Sequence, residues 1–431
     1  MSTDALWNTD RARAHVARQD PGGLIRLGRE DHGWRQAELG AHLGCSASAI
    51  SRLEHHGRHA DLTLLRKAAD RVGMPMHVLA ASLGFGTPSP TKVAAEERCA
   101  EEDSMRRRTL LAAATLATPL TLLTGVDTAL AGVPAPTGSA TPAVATRLAA
   151  ARRLFDTGQH ARLLAELPGL LGDAHDAARS HDEIALARLS SCYRLAAEVL
   201  VKIGEYDRAR RAADRATITA DISGSPLAAA AAAREMSIVL RHQDQPDAAQ
   251  DLILNAANRT EATGLKTDAQ TSAYAQILCT TAYTAARSGD RSQALSLLGE
   301  AARAARRLPD RAPAEGRLLP FTPAQATLYQ VSVRWALGDA GAALDAGRTL
   351  HEDQFATRER KGRMHTDLAR AWWQWGKAEQ TATELLLALR VSPGEVRDRP
   401  SIRQVVTELR FRHPRVPGVR QLVAATGATA A

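Results

Sequence analysis

The sequence predicts an all-α protein: a five-helix N-terminal unit followed by a long array of helix pairs. Three observations carry that expectation. The 431 residues are 45% apolar but only 4% aromatic, and the Ala, Leu, Arg and Glu that dominate are strong helix formers. Runs of alternating Val, Ile and Thr closed by tight hairpin turns have little presence in the sequence. Gly recurs where helical apolar periodicity stops, as a helix terminator should. A chain of this length has room for two or three domains.

Composition narrows the function. The net charge of +8 suits a polyanionic partner such as DNA. The four cysteines, Cys45, Cys99, Cys192 and Cys279, are far apart and lack metal-site spacing. They read as reduced thiols of a cytoplasmic, nucleoid-associated protein rather than a disulfide framework. Residues 1–21 have no apolar core and are expected to be an extension, not a signal peptide.

Residues 22–86 divide at their punctuation into five short helices. Leu24, Ile25 and Leu27 mark a first helix ending near His32-Gly33, and Arg35 to Leu43 a second, with Ala37, Leu39, Gly40 and Leu43 on one face. Gly44-Cys45 is a tight turn suited to a left-handed cap. Ser46 can then cap the helix Ala47 to His55, which buries Ile50 and Leu53. Gly73-Met74-Pro75 separates two further helices, Leu62 to Val72 and Met76 to Leu83. A three-residue turn between the second and third helices describes a helix-turn-helix.

The run Trp34-Arg35-Gln36-Ala37-Glu38-Leu39, then Leu43-Gly44-Cys45-Ser46 and Ile50-Ser51-Arg52-Leu53-Glu54, resembles the Cro/cI phage-repressor (XRE) family, with Leu65, Ala68, Ala69, Val72 to Pro75 and Leu79 in keeping. The resemblance implies that the helix from Ala47 enters the major groove of double-stranded DNA. By matching position, Ala47, Ser48 and Arg52 face the bases, Arg52 forking onto guanine for about 1–3 kcal/mol of discrimination. Gln36 and Ser46, helped by Arg35, would clasp phosphates and set register. Ser51 and Arg58 complete the candidate DNA-binding set, and Glu54 is expected to act within the domain. So few base contacts imply a homodimer. His55, His56 and His59 around Arg58 do not have the spacing of a zinc site.

Residues 87–144 are expected to be a linker. Within it, SMRRRTLLAAATLATPLTLLTG resembles a twin-arginine export signal but begins at residue 104. The apolar run Leu110 to Leu123 carries three threonines and Pro119, and falls short of the ~20 apolar residues of a membrane span. It reads as a buried or partner-contacting segment without membrane attachment, tethering through residues 110–126 being the alternative. Actinobacterial regulators of the resembled type carry a similar Arg-Arg-Leu-Leu-Ala stretch. The following GVPAPTGSATPAV should be flexible.

Residues 145–395 repeat. Gly158, Gly204, Asp244, Gly289, Gly338 and Gly376 open equivalent turns 38 to 49 residues apart. Five residues after each comes Leu163, Ala209, Ala249, Ala294, Ala343 or Thr381, and seven further on Leu170, Ala216, Ala256, Ala301, Leu350 or Ala388. The unit AEVLVKIGEYDRARRAADRA resembles a tetratricopeptide (TPR) repeat, which implies a TPR-like α-solenoid of six stacked pairs with one concave face. Counting back from each turn places Arg194, Glu198, Lys202, Arg234, Arg241, Gln276, Tyr283, Arg287, Gln325, Trp335, Arg363, Arg370 and Trp373 on that face. The cationic members and Tyr283 form a candidate site for a peptide or protein ligand with acidic groups. Trp372, Trp373 and Trp375 are expected in the core, and residues 396–431 as a helical tail.

No phosphate-cradling loop, nucleophile elbow or paired-Cys metal motif occurs, so neither catalysis nor a cofactor is expected. The sequence points to a sequence-specific DNA-binding transcription regulator whose repeat region senses a ligand or mediates association. The alternative is an interaction scaffold with weak DNA binding.

Overall fold

A computed structural model describes residues 6–56, 62–83, 120–137, 144–311 and 318–427. Among them there are helices and no strands. The chain forms two compact units, Met1–Ser104 and Met105–Ala431.

In the first unit, α1 (Asp10–Ala17) precedes α2 (Pro21–Asp31), α3 (Gln36–Leu43), α4 (Ala47–His56), α5 (Leu62–Arg71) and α6 (Met76–Ser82). The core joins Leu24, Ile25, Leu39, Ile50, Leu65 and Leu79 to Trp7 and Ala12. Trp7 donates its indole N–H to Gly73 O at 2.9 Å. Part of the expected 1–21 extension is thus built into this core. Gly44 closes α3 at φ 69°, and Ser46 Oγ accepts the Ala49 N–H at 3.1 Å, capping α4. Gly22 has a steric reason: a Cβ there would stand 2.4 Å from Leu53 O, so only glycine lets α2 meet the end of α4.

The second unit opens with α7 (Leu120–Ala131). This is the described part of the signal-like run, and Leu123, Val126, Ala129 and Leu130 are buried in the core of the first repeats. Arg208 clasps Asp127 at 3.0 and 2.8 Å and Arg211 reaches it at 2.7 Å, fixing α7 from outside. Residues 120–131 are therefore part of the helical unit, not linker. No helix among the described residues is long and apolar enough to cross a membrane.

Six helix pairs follow: α8 (Val144–Asp156) with α9 (His160–Ala177), α10 (Glu183–Ile203) with α11 (Tyr206–Ile222), and α12 (Pro226–His242) with α13 (Pro246–Glu261). Next come α14 (Asp268–Arg287) with α15 (Arg291–Ala305), α16 (Pro323–Ala336) with α17 (Ala340–Gly347), and α18 (Arg358–Gln374) with α19 (Ala378–Val391). The six turns expected from spacing are left-handed, with φ between 58° at Asp244 and 87° at Gly204. Asp244 does the work of glycine in the third pair. The small residue five places on is fully buried in all six pairs, and the one seven further on is at most 7% exposed.

The chain ends in α20 (Pro393–Arg397), α21 (Pro400–Arg412) and α22 (Val419–Thr426). The expected tail is a working part of the unit, because Ile402, Val406, Leu409 and Leu422 share a core with Leu385 and Ala388. It also brings the end of the array back to its start. Lys202 bonds Glu359 at 2.6 Å and also pairs with Glu395, and His160 Nδ1 meets Asp398 Oδ2 at 2.6 Å. A Cβ on Gly204 would lie 2.9 Å from Pro400, so the two ends are in van der Waals contact. The array of helix pairs, expected as a curved solenoid with one concave face, is closed on itself.

Overpacking a pair contact tests this arrangement. Ala294→Leu should lower stability by about 1–3 kcal/mol in chemical denaturation. An unchanged midpoint would mean that α14 and α15 do not pack as described.

Candidate DNA interface and candidate ligand cavity

Closure gives the helical unit a central cavity of about 2030 Å³, walled by the first helix of every pair and by the start of α21. All thirteen residues counted onto the concave face line it: Arg194, Glu198, Lys202, Arg234, Arg241, Gln276, Tyr283, Arg287, Gln325, Trp335, Arg363, Arg370 and Trp373. Sequence reasoning missed Arg152, Asp156, Glu235 and Arg399, which also line it. Arg152 and Asp156 lie on the first helix of the first pair, and Glu235 follows Arg234 where counting chose one residue per turn. Arg399 belongs to the returning tail. Of the three tryptophans expected in the core, Trp373 lines the cavity, Trp372 is half-buried and Trp375 is 52% exposed, the last two stacked at 5.9 Å. A run of three tryptophans on one helix cannot put all of them on one buried face.

The cavity wall is a network of ions out of water. Glu198 pairs with both Arg152 and Arg194, which hold its carboxyl down to about 2 against the opposing effect of burial. Glu235 meets the reverse fate. Burial and then the charge of Glu198 push it from 4.5 to about 7, although Arg234 stands 3.6 Å away. Burial also lifts Asp156 to about 6. His242 is pushed down to about 3 by burial and then by Arg241 and Arg399. Several polar atoms on this wall lack hydrogen-bond partners: Arg194 Nε, Glu235 Oε2, Gln276 Oε1, Trp335 Nε1 and Asp367 Oδ1. Unpaired buried polar groups are costly, and groups arriving in the cavity could satisfy these.

In the first unit, Ser46 and Ala47 are exposed at the start of α4, with Ser48 and Ser51 half-buried beside them. Arg35 is exposed. Gln36 is half-buried, and its Nε2 donates to Glu54 Oε2 at 2.8 Å. Glu54 is buried and takes Arg29 bidentately, Nη2 at 3.1 Å, while Arg29 Nη1 reaches Trp34 O at 2.7 Å. Glu54 thus ties α2, α3 and α4 together from inside the domain. Arg52 lies on α4 as well. It stands about 200° round α4 from Ile50, yet it is only 5% exposed and engaged within the chain. Arg58 lies outside the described residues.

Residues 25–79 match the helix-turn-helix family. The match runs from α2 into α6 and supports a DNA-binding transcription regulator. No curated protein matches the chain. Among solved structures, the crystal structure of BtubC (BKLC) from P. vanneervenii is 16% identical, with a TM-score of 0.35, over 58% of this chain and 91% of its own.

Glu235 makes the cavity measurable by pH. Below about 4.5 the group is protonated in folded and unfolded chains alike. Between about 4.5 and about 7 the unfolded chain ionises while the folded one keeps its proton, so stability falls as pH rises through that window and levels above it. Glu235→Gln abolishes the titration, and its advantage in Tm over the parent should grow from pH 4.5 to 7. A pH-independent difference would contradict a buried Glu235.

Proposed function

We propose that this protein is a ligand-responsive transcription regulator: the helix-turn-helix binds DNA as a homodimer, and the closed helical unit senses a ligand in its central cavity. The observation that carries the reading is the cavity of about 2030 Å³ with unpartnered buried polar atoms on its wall, in the same chain as a DNA-binding domain. Ligand sites are concave and converge a few polar groups on their occupant. Paired helices with left-handed turns and buried small residues at fixed offsets favour a TPR-like array, whose first helices supply the inner face. The resemblance of such regulators to peptide-responsive ones makes a peptide or small organic ligand the occupant.

On the DNA side the recognition set is small. Ala47 can meet a thymine methyl and Ser48 reads bases ambiguously, so register from Arg35 and Ser46 on phosphates, and DNA shape, would provide the rest. A dimer doubles that limited readout.

The test is selection from a random duplex pool with the full chain. Enrichment of a palindrome is expected, with Arg35→Ala weakening binding on all sequences and reducing the salt slope by about one. Sequence-blind binding would overturn the regulator reading and favour the scaffold. Loss of specificity in Arg35→Ala, with unchanged affinity for random DNA, would overturn its phosphate role.

A further inference from the structure

The charge of the cavity is unevenly distributed along its axis. Glu235 and Arg241 are six residues apart on α12, which separates two levels of the wall by about 9 Å. At the first level carboxylates answer the cations, as Glu198 answers Arg152 and Arg194. At the second, aromatic rings take the place of carboxylates. The Arg241 guanidinium lies 5.0 Å over the Tyr283 ring and the Arg370 guanidinium 5.0 Å over the Trp335 ring, while the two rings meet edge to face at 6.0 Å.

Arg241, Tyr283, Trp335 and Arg370 thus form a ladder across four consecutive first helices, α12, α14, α16 and α18. Cation–π contact holds a guanidinium by its face and leaves its N–H edge open. The side-chain hydrogen bonds at these edges are modest: Arg241 Nη1 to Thr284 Oγ1 at 3.1 Å, and Arg370 Nη2 to Ser401 Oγ. The acid nearest Arg370, Asp367, is 3.8 Å away and leans on Arg363 instead, at 2.9 Å. Between the arginines, Trp335 Nε1 is a buried donor without a partner. Burial, and then Arg399, push Arg370 from its usual 12.5 down to about 10; burial also lowers Arg241, with Arg363 adding to it. Among the described residues neither guanidinium hydrogen-bonds a carboxylate.

We propose that this arginine–aromatic ladder anchors the ligand of the cavity, and that the ligand carries a carboxylate or phosphate group received by Arg241, Arg370 and the Trp335 N–H. The inference rests on the reading of the cavity as a ligand site and specifies its chemistry. Arginine suits the role because its planar fork matches both anions bidentately. The rings hold the two forks in place.

The experiment uses the full chain with inorganic phosphate and citrate as probes, and sodium chloride at matched ionic strength as reference. Thermal unfolding and calorimetric titration are read for the parent, Arg370→Gln, Arg370→Lys and Arg291→Gln, the last altering an exposed pair with Asp339 outside the cavity. A saturable rise in Tm is expected with at least one probe, and the stronger probe tells phosphate from carboxylate. Arg370→Gln should weaken that probe about tenfold or more, Arg370→Lys less, and Arg291→Gln not at all. Without probe, Arg370→Gln should melt no lower than the parent, since it removes a buried cation short of counter-charge. Stabilisation no greater than with chloride, equal response in both Arg370 variants, or a lower Tm of probe-free Arg370→Gln would each overturn the proposal. Probe binding without effect on operator affinity would sink the sensing reading and leave the anchor standing. An operator response to a ligand that binds Arg370→Gln as tightly as the parent would do the reverse.

Discussion

Lys202 holds the two ends of the helical unit together. It lies at the end of α10 and bonds carboxylates on α18 and α20, 157 and 193 residues further along the chain. All three side chains are nearly buried, so their charges interact in a low-dielectric setting and leave little tolerance for losing a partner. Without this joint the helix pairs would present an open groove to water. With it, the first helices face one another across a cavity, and the arginines on their inner faces lose solvent. The raised Glu235 and the lowered Arg241 and Arg370 follow from that enclosure, while Glu198 is held down against it by Arg152 and Arg194.

The joint also has a steric side. Gly158 and Gly204 open their turns in the left-handed region, and both are pressed against the returning chain, at Gly394 and Pro400 respectively. The same two glycines therefore serve each pair locally and the closure globally. In the other unit a smaller version of this logic operates. Glu54 is buried among Arg29 and Gln36, tying α2, α3 and α4 together. A carboxylate in that place spends the Gln36 amide inside the protein and leaves Arg35 and Ser46 as the outward polar groups.

Much of this was legible in the sequence. Six turn residues and twelve positions read off by spacing alone prove to be left-handed turns and buried side chains, because a stacked repeat fixes each unit by local geometry. The inward residues followed by counting, and all thirteen meet in one cavity. Closure was not legible: it depends on small rotations summed over six pairs, which no single repeat encodes. The same holds for Arg399, which reaches the cavity only because the tail returns. Trp7 was hidden because a lone aromatic in a polar segment has no periodicity. The burial of Arg52 was not legible either, since it depends on what the rest of this chain places against it.

Closure is tested most directly by a double-mutant cycle on Lys202 and Glu395, using Lys202→Met, Glu395→Gln and the pair in the full chain. Residues in contact couple by about 0.5–3 kcal/mol, whereas distant ones add. A closed unit predicts that the double variant is less destabilised than the sum of the single ones by an amount in that range. Strict additivity would mean that α10 and α20 do not meet, and the cavity would be an open groove.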